Sequence, residues 1–415
     1  MENESTITAP ARRFAAGSAV QFPPMRETLL TSKLAGFGTS IFAEMSALAA
    51  STGSINLGQG FPDTDGPVEV VEAAREALAR GFGSQYPPVG GVPELRIAIA
   101  DHQRAYYAIN LDPDSQVQVT VGATEAIAAA LLALLDDGDE CIVFEPFYDS
   151  YPACIAMAGA VSVPVTLRPP NFGIEFDELR AAITPRTRVI LVNSPHNPTG
   201  TVFDVATLTR LAEIACEHDL IVIADEAYEH LTFDGVSHMP ISTLPNMAER
   251  TLTIGSAGKS LSFTGWKVGW ATGPAELVGA VRMSKQFMTF GVGGAMQYAV
   301  SVGLRLGPAY FNDFALTLQA KRDRLAAGLD SAGFQIFTPK GTYFITTDIS
   351  EMGLGDGIAL CRLMPELCGV VAIPNVAFYA NKHEGRNLVR FAFCKRDEVL
   401  DDASQRLLRL REVRT

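Results

Sequence analysis

Short apolar runs alternate along this chain with longer segments of helical spacing, and the pattern changes character near residue 330. In the middle of the chain, residues 116–121, 141–144, 188–192, 220–224 and 251–254 are short and apolar enough to be strands. Between them, residues 124–135 and 208–217 carry helical patterns, the first stopped by Asp136-Asp137-Gly138-Asp139. Continuously apolar strands separated by helices predict a mostly parallel sheet covered on both faces. Beyond residue 330 the strand candidates are 334–337, 343–347, 370–373 and 388–393, with helical patterns between and after them. That part predicts a smaller α+β domain. The expected organisation is α/β: a tail over 1–25, an arm over 26–55 packing with the small domain, a large domain over 56–329 and a small C-terminal domain over 330–415. No repeat, low-complexity tract or Pro/Gly/Ser linker divides them.

Composition narrows the function classes. Apolar residues at 47% and charged residues at 19% are ordinary for a globular enzyme. A net charge of -13 gains nothing from a phosphate backbone, so nucleic acid is not an expected partner. The basic pairs Arg12-Arg13 and Lys395-Arg396 are too short for a binding patch and read as solvated surface. The longest apolar run, residues 126–135, falls short of the roughly 18 residues a membrane span needs, so a buried helix is expected and no membrane partner. Residues 1–25 lack the apolar stretch of a signal peptide. The six cysteines form no CxxC pair, and no HExxH spacing occurs. They read as free thiols of a reducing cytoplasm, and no metal site is expected.

Candidate chemistry clusters just after predicted strands. Gly122-Ala123-Thr124 follows one and opens a helix; Asn197-Pro198-Thr199-Gly200, Asp225-Glu226-Ala227-Tyr228 and Gly255-Ser256-Ala257-Gly258-Lys259 follow others. Ligands of open α/β sheets bind beyond the carboxyl ends of the strands, so these signals are expected to face one crevice. Taken singly each has a plainer reading: a turn, a helix N-cap at Asp225, an exposed lysine, an ordinary capping threonine. Arg390, between apolar strand residues in Leu388-Val389-Arg390-Phe391, needs a partner, which is either a ligand carboxylate or a structural ion pair.

In order and spacing these stretches resemble one family. Together with Asn56-Leu57-Gly58-Gln59-Gly60-Phe61-Pro62-Asp63, Glu145-Pro146-Phe147-Tyr148 and Thr264-Gly265-Trp266-Lys267-Val268-Gly269-Trp270, they are similar to the fold-type I aminotransferases of class I/II. Within that group the chain resembles the branch of kynurenine aminotransferases, cysteine-conjugate β-lyases, methionine aminotransferases and N-succinyldiaminopimelate aminotransferases. The resemblance runs from about residue 30 to 410. It implies a cytoplasmic homodimeric enzyme carrying pyridoxal 5'-phosphate, with small amino and 2-oxo acids as its other partners.

The resemblance also implies roles. Lys259 holds the cofactor covalently and, once freed by substrate, moves a proton from the substrate Cα to the cofactor. Asp225 pairs with the pyridine nitrogen, since a close carboxylate favours its protonated form. Tyr228 and Asn197 bond the phenolic oxygen, and Tyr148 stacks on the ring. The backbone N–H groups of Ala123 and Thr124, at a helix start, suit the phosphate; Ser256 and Lys267 complete that cup, and Tyr86 reaches it from the other subunit. Arg390 takes the substrate α-carboxylate, Gly60 lets the backbone approach it, and Phe42, with Phe290 of the other subunit, shapes the side-chain pocket. Without the family, Tyr86 reads equally well as packing in the Gln85-Tyr86-Pro87-Pro88 turn.

The donor stays open. Gly291 follows Phe290 where the animal kynurenine enzymes carry a histidine. The aromatic set Phe42, Phe61, Tyr86 and Phe290 favours apolar, aromatic or sulfur-containing donors such as kynurenine, methionine or glutamine over aspartate. Arg26 or Lys33 swinging in would favour N-succinyl-L,L-diaminopimelate of lysine synthesis instead. A β-lyase shares the first steps. A non-catalytic regulator would need a fused DNA-binding module, for which the N-terminal segment is too short. A nicotinamide dehydrogenase is disfavoured because no GxGxxG follows the first strand.

Overall fold

The computed structural model describes residues 30–38 and 40–412. The expected tail over 1–25, Arg12-Arg13 and Arg26 lie outside the described residues. A short strand β1 (Ile55–Asn56) precedes the main sheet, which is built from β2 (Val117–Thr120), β3 (Glu140–Glu145), β4 (Val161–Thr166), β5 (Thr187–Asn193), β6 (Ile221–Asp225), β7 (Thr251–Ser256) and β8 (Gly269–Thr272). The C-terminal part adds β9 (Gln335–Phe337), β10 (Phe344–Asp348), β11 (Val370–Val371), β12 (Ile373–Pro374) and β13 (Leu388–Ala392). The seven-stranded sheet has the order β2-β8-β7-β6-β5-β3-β4. Its strands pair in parallel except β8, which runs antiparallel to both β2 and β7.

The apolar runs are continuous because both faces of this sheet are covered. Successive strand side chains point to opposite faces. Cys141 and Val143 of β3 pack with Ala126 to Leu131 of the helix Gly122–Leu134 and with Val278 and Val281 of the helix Ala275–Lys285. Ile142 and Phe144 pack on the other face with Leu208, Leu211 and Ile214 of the helix Val205–Glu217. The expected mostly parallel, doubly covered sheet is therefore present.

The smaller sheet is antiparallel, in the order β12-β13-β10-β9, and β1 pairs in parallel with β11. The run 370–373, expected as one strand, is divided: Val370 and Val371 pair with β1, and Ile373 and Pro374 with β13. Two sheets share one apolar stretch, and Pro374 has no N–H to extend a ladder. Met45 and Ala49 of the helix Ile41–Thr52 join the core of this part, beside Ile373 and Phe391. The helix Pro308–Ala332 starts on a proline, ends on the left-handed Gly333, and sends Leu318, Leu325 and Leu329 into the same core.

One surface expectation is corrected. Lys395 is buried, with Nζ donating to the carbonyl of Phe61 at 2.7 Å and lying 4.0 Å from that ring's centroid; only Arg396 of the pair is solvated. Five of the six cysteines are buried. Among the described residues no helix is long and apolar enough to cross a membrane.

Candidate active site

β5, β6 and β7 end on Asn193, Asp225 and Ser256, and the pairing register sets Asn193 beside Asp225. Beyond these ends lies a cavity of about 430 Å³, a size suited to a small molecule. Of the expected residues, Phe42, Gly60, Ala123, Thr124, Tyr148, Asn197, Asp225, Tyr228, Ser256, Lys259, Lys267 and Arg390 all line it.

Lys259 sits on the one-turn helix Ala257–Ser260 that leaves β7, so its backbone is anchored by the sheet. Its Nζ donates to the Tyr343 hydroxyl at 2.7 Å, and that hydroxyl donates to the carbonyl of Gly60 at 2.6 Å. Burial pulls the amine down from 10.5 to about 8. Asp225 accepts from the Tyr151 hydroxyl at 2.6 Å and from the N–H of Ala227 at 3.1 Å. Burial raises its carboxyl, with those two bonds opposing the rise. A buried carboxylate with this exposure to a cavity suits a cationic N–H partner.

Arg390 is 1% exposed. Its Nη1 donates to Asn197 Oδ1 and its Nη2 to the carbonyl of Gly58, each at 3.0 Å, while its Nε has no partner. The guanidinium lies 3.9 Å from the Phe344 ring centroid, 4.9 Å from Phe378 and 5.2 Å from Phe42. Burial among these rings lowers its pKa to about 10. Among the described residues no carboxylate forms an ion pair with it, so the structural ion pair is not the reason for this arginine. A buried cation with an open donor is suited to an incoming carboxylate.

The helix Gly122–Leu134 has no side-chain cap, so its first N–H groups stay open as anion donors. Gly122 has φ +73, and a Cβ there would come within 3.2 Å of the Lys267 amine. A Cβ on Gly269 would lie 2.6 Å from the carbonyl carbon of Gly122. The two glycines thus allow the helix start, Lys267 and β8 to meet. Open N–H groups, the buried Ser256 hydroxyl and the Lys267 amine form a donor set matched to a phosphate, and the Asp225, Lys259 and Arg390 groups fit the rest of pyridoxal phosphate with a bound amino acid.

The single chain does not bring every expected residue here. Tyr86 and Phe290 are 87% and 44% exposed, outside the cavity, with ring centroids 5.6 Å apart in an edge contact. Phe61 does not line it either. The cavity gains residues that sequence reasoning passed over: Ser40, Gln59, Asp149, Asn193 and Phe344 line it, and Tyr151 and Tyr343 bond Asp225 and Lys259. Tyr151 carried a signal, one helical step after Tyr148. Tyr343 carried none, since only the tertiary fold brings it to Lys259. Elsewhere, His102, Glu229 and His230 are buried close enough to share an ion, yet the two imidazoles bond each other, Nε2 to Nε2 at 2.7 Å.

The family description "Aminotransferase class I and II" matches residues 52–407. The chain is 48% identical over 394 residues to a protein of Mycobacterium tuberculosis named as a probable N-succinyldiaminopimelate aminotransferase, covering 92% of this chain and 99% of that one. It is 38% identical to the methionine aminotransferase of Escherichia coli, covering 91% and 98%, and 37% identical to a kynurenine–oxoglutarate transaminase of Dictyostelium discoideum, covering 94% and 97%. The solved Mycobacterium tuberculosis N-succinyldiaminopimelate aminotransferase superposes with a TM-score of 0.90 at 49% identity, covering 92% of this chain and all of that one.

Proposed function

The chain belongs to the class I and II aminotransferases, and from that membership we propose that it moves the amino group of an apolar, aromatic or sulfur-containing L-amino acid to a 2-oxo acid such as 2-oxoglutarate, with pyridoxal 5'-phosphate held at Lys259. When bound, the cofactor supplies an electron sink for the carbanion at the substrate Cα. The protein's groups do the rest. The N–H groups of Ala123 and Thr124, Ser256 and Lys267 would hold the phosphate, Asp225 would favour the protonated ring nitrogen, and Tyr148 would lie against the ring. Asn197 spends its Oδ1 on Arg390, which leaves its amide Nδ2 to donate, with Tyr228, to the phenolic oxygen. The freed Lys259 amine would take the proton from the substrate Cα as a base and, as an acid, deliver it to the cofactor. Tyr86 and Phe290 are assigned to the neighbouring subunit's site in a homodimer.

The observation that carries the donor class is the lining around Arg390. Its neighbours are Phe42, Phe344 and Phe378, and among the described cavity-lining residues the other cations, Lys259 and Lys267, are assigned to the cofactor. A second substrate carboxylate buried there without a partner would cost several kcal/mol. The Mycobacterium tuberculosis relatives favour a second reading, N-succinyl-L,L-diaminopimelate as the substrate, which needs a cation for its distal carboxylates. Lys33 pairs with Asp137 at 3.2 Å in the structure, so Lys33 would serve this reading only by leaving that partner, and Arg26 is the other candidate. Comparing kcat/KM for methionine, glutamine, kynurenine, aspartate and N-succinyl-L,L-diaminopimelate separates the two. A marked fall for the succinyl substrate alone in Arg26→Ala or Lys33→Ala supports the second reading. A clear lead for aspartate over all the others overturns both. Release of pyruvate and ammonia from cysteine conjugates identifies β-lyase activity.

A further inference from the structure

Resting on the aminotransferase reading, we propose that Tyr343 is a positioning residue for Lys259: it accepts a hydrogen bond from the freed lysine amine and so leaves the nitrogen lone pair available for the substrate's Cα proton. The direction of each bond follows from the donor inventory. The carbonyl of Gly60 only accepts, so the single phenolic O–H of Tyr343 is committed to it at 2.6 Å. Toward Lys259, at 2.7 Å, the phenol oxygen is then left with lone pairs alone and accepts an amine N–H. A neutral amine bound through one N–H keeps its lone pair.

The acceptor is itself fixed. Tyr343 is fully buried, edge-on to Tyr228 with centroids 5.3 Å apart and against Phe344 at 4.8 Å. Gly60 is pressed onto the same rings: a Cβ there would fall 2.3 Å from Phe344 Cζ and 2.9 Å from Tyr343 Cε2. Burial holds the phenol protonated, well above its ordinary range. Lys259 comes from the end of β7 in the large sheet, whereas Tyr343 directly precedes β10 of the small one. The bond therefore registers the lysine against the second sheet. A lysine freed from its cofactor has a flexible four-carbon stem, and misplacing a reacting group by about 1 Å can reduce a rate by about 10²-fold. A fixed acceptor removes part of that freedom.

Tyr343→Phe keeps the ring and deletes the acceptor. In the loaded enzyme kcat should fall about tenfold while KM stays within about threefold. Exchange of the donor's Cα hydrogen with deuterated solvent should slow by the same factor as kcat. A second readout needs no cofactor. In the unloaded protein, acylation of Lys259 by an amine reagent, followed against pH by mass spectrometry, should shift its midpoint down by about one pH unit, because Tyr343 favours the protonated amine it accepts from. Tyr343→His, which restores an acceptor, should recover part of both effects, and it carries the same readings if the Phe variant is unfolded by circular dichroism. Wild-type kcat with an unchanged midpoint, or a rise in KM alone, overturns the proposal. A wild-type enzyme that loads no cofactor on Lys259 instead overturns the function on which it rests.

Discussion

Lys259 carries a charge that folding alone would exclude from its position. Its amine is buried and drawn from 10.5 to about 8, so below about pH 8 it is protonated in both the folded and unfolded chain and the folded state bears the full cost. Between about 8 and 10.5 the unfolded chain binds more protons, and the stability of the unloaded protein rises with pH through that window. The cost is about 3 kcal/mol at neutral pH. Lys259→Met should therefore raise the melting midpoint of unloaded protein at pH 7 by a few degrees and flatten its pH dependence from 8 to 10.5, measured by scanning fluorimetry. The same change should cut turnover by at least about 10²–10⁴-fold, and borohydride reduction of the wild type should place the cofactor adduct on the Lys259 peptide. An adduct on another lysine, or a less stable Met variant, contradicts this account. Arg390 makes a comparable case for binding. Lysine in its place keeps a charge but loses the planar fork, so Arg390→Lys should lower kcat/KM by about 10–100-fold for every donor, mostly through KM. A loss confined to one donor would mean that Arg390 reads the side chain rather than the α-carboxylate.

At the scale of elements, the site is a meeting of strand ends with one helix start. The helix Gly122–Leu134 reaches the cavity only because Gly122 and Gly269 lack side chains, a Cβ on Gly269 falling 2.6 Å from the Gly122 carbonyl carbon. Gly269→Ala should push the helix start away from Lys267 and weaken cofactor retention by about tenfold or more, the scale of losing one or two charge-assisted hydrogen bonds. Dialysis followed by absorbance at the cofactor band measures this, and retention equal to wild type counts against the cradle. These elements were legible in the sequence because their signals are local. The apolar runs of β3, β5 and β6 are uninterrupted since both sheet faces are buried, β7 is buried throughout although threonines alternate with its apolar residues, and each strand is followed by polar residues of the crevice. β4 is largely half-exposed and contains Pro164, and β8 is a four-residue strand after the loop carrying Lys267, so neither stood out. Tyr343 was illegible for another reason. Its partner is 84 positions away, and a tyrosine beside a strand is unremarkable until two sheets pack. Family resemblance supplied roles for Asn197, Lys259 and Arg390 that the residues alone left as a turn, an exposed lysine, and a choice between a ligand carboxylate and a structural ion pair.

For the whole molecule, the unfinished part of the site is at the surface. Tyr86 and Phe290 were expected near the cofactor, yet in the single chain they are exposed and touch each other instead. Phe287 at 83% and Met283 at 62% are exposed on the same stretch of chain. Large apolar side chains gathered in this way mark an interaction surface. A second copy is the natural occupant if these residues serve a neighbouring site, and a closed two-fold pair is the commonest arrangement. Two residues of one chain would then complete the cavity of the other, and neither chain alone would be competent. Complementation tests this more sharply than molecular mass. Lys259→Ala and Tyr86→Ala homodimers should each be nearly inactive, since each lacks a group in both sites. Mixed under conditions of subunit exchange, they form a hybrid in which one site has lost both groups and the other has both. With equal amounts and random pairing about half of the dimers are hybrids with one intact site each, so about a quarter of wild-type activity should return. No recovery despite demonstrated exchange would place Tyr86 in its own chain's site or outside both, and a fully active monomer by light scattering would remove the need for a partner altogether.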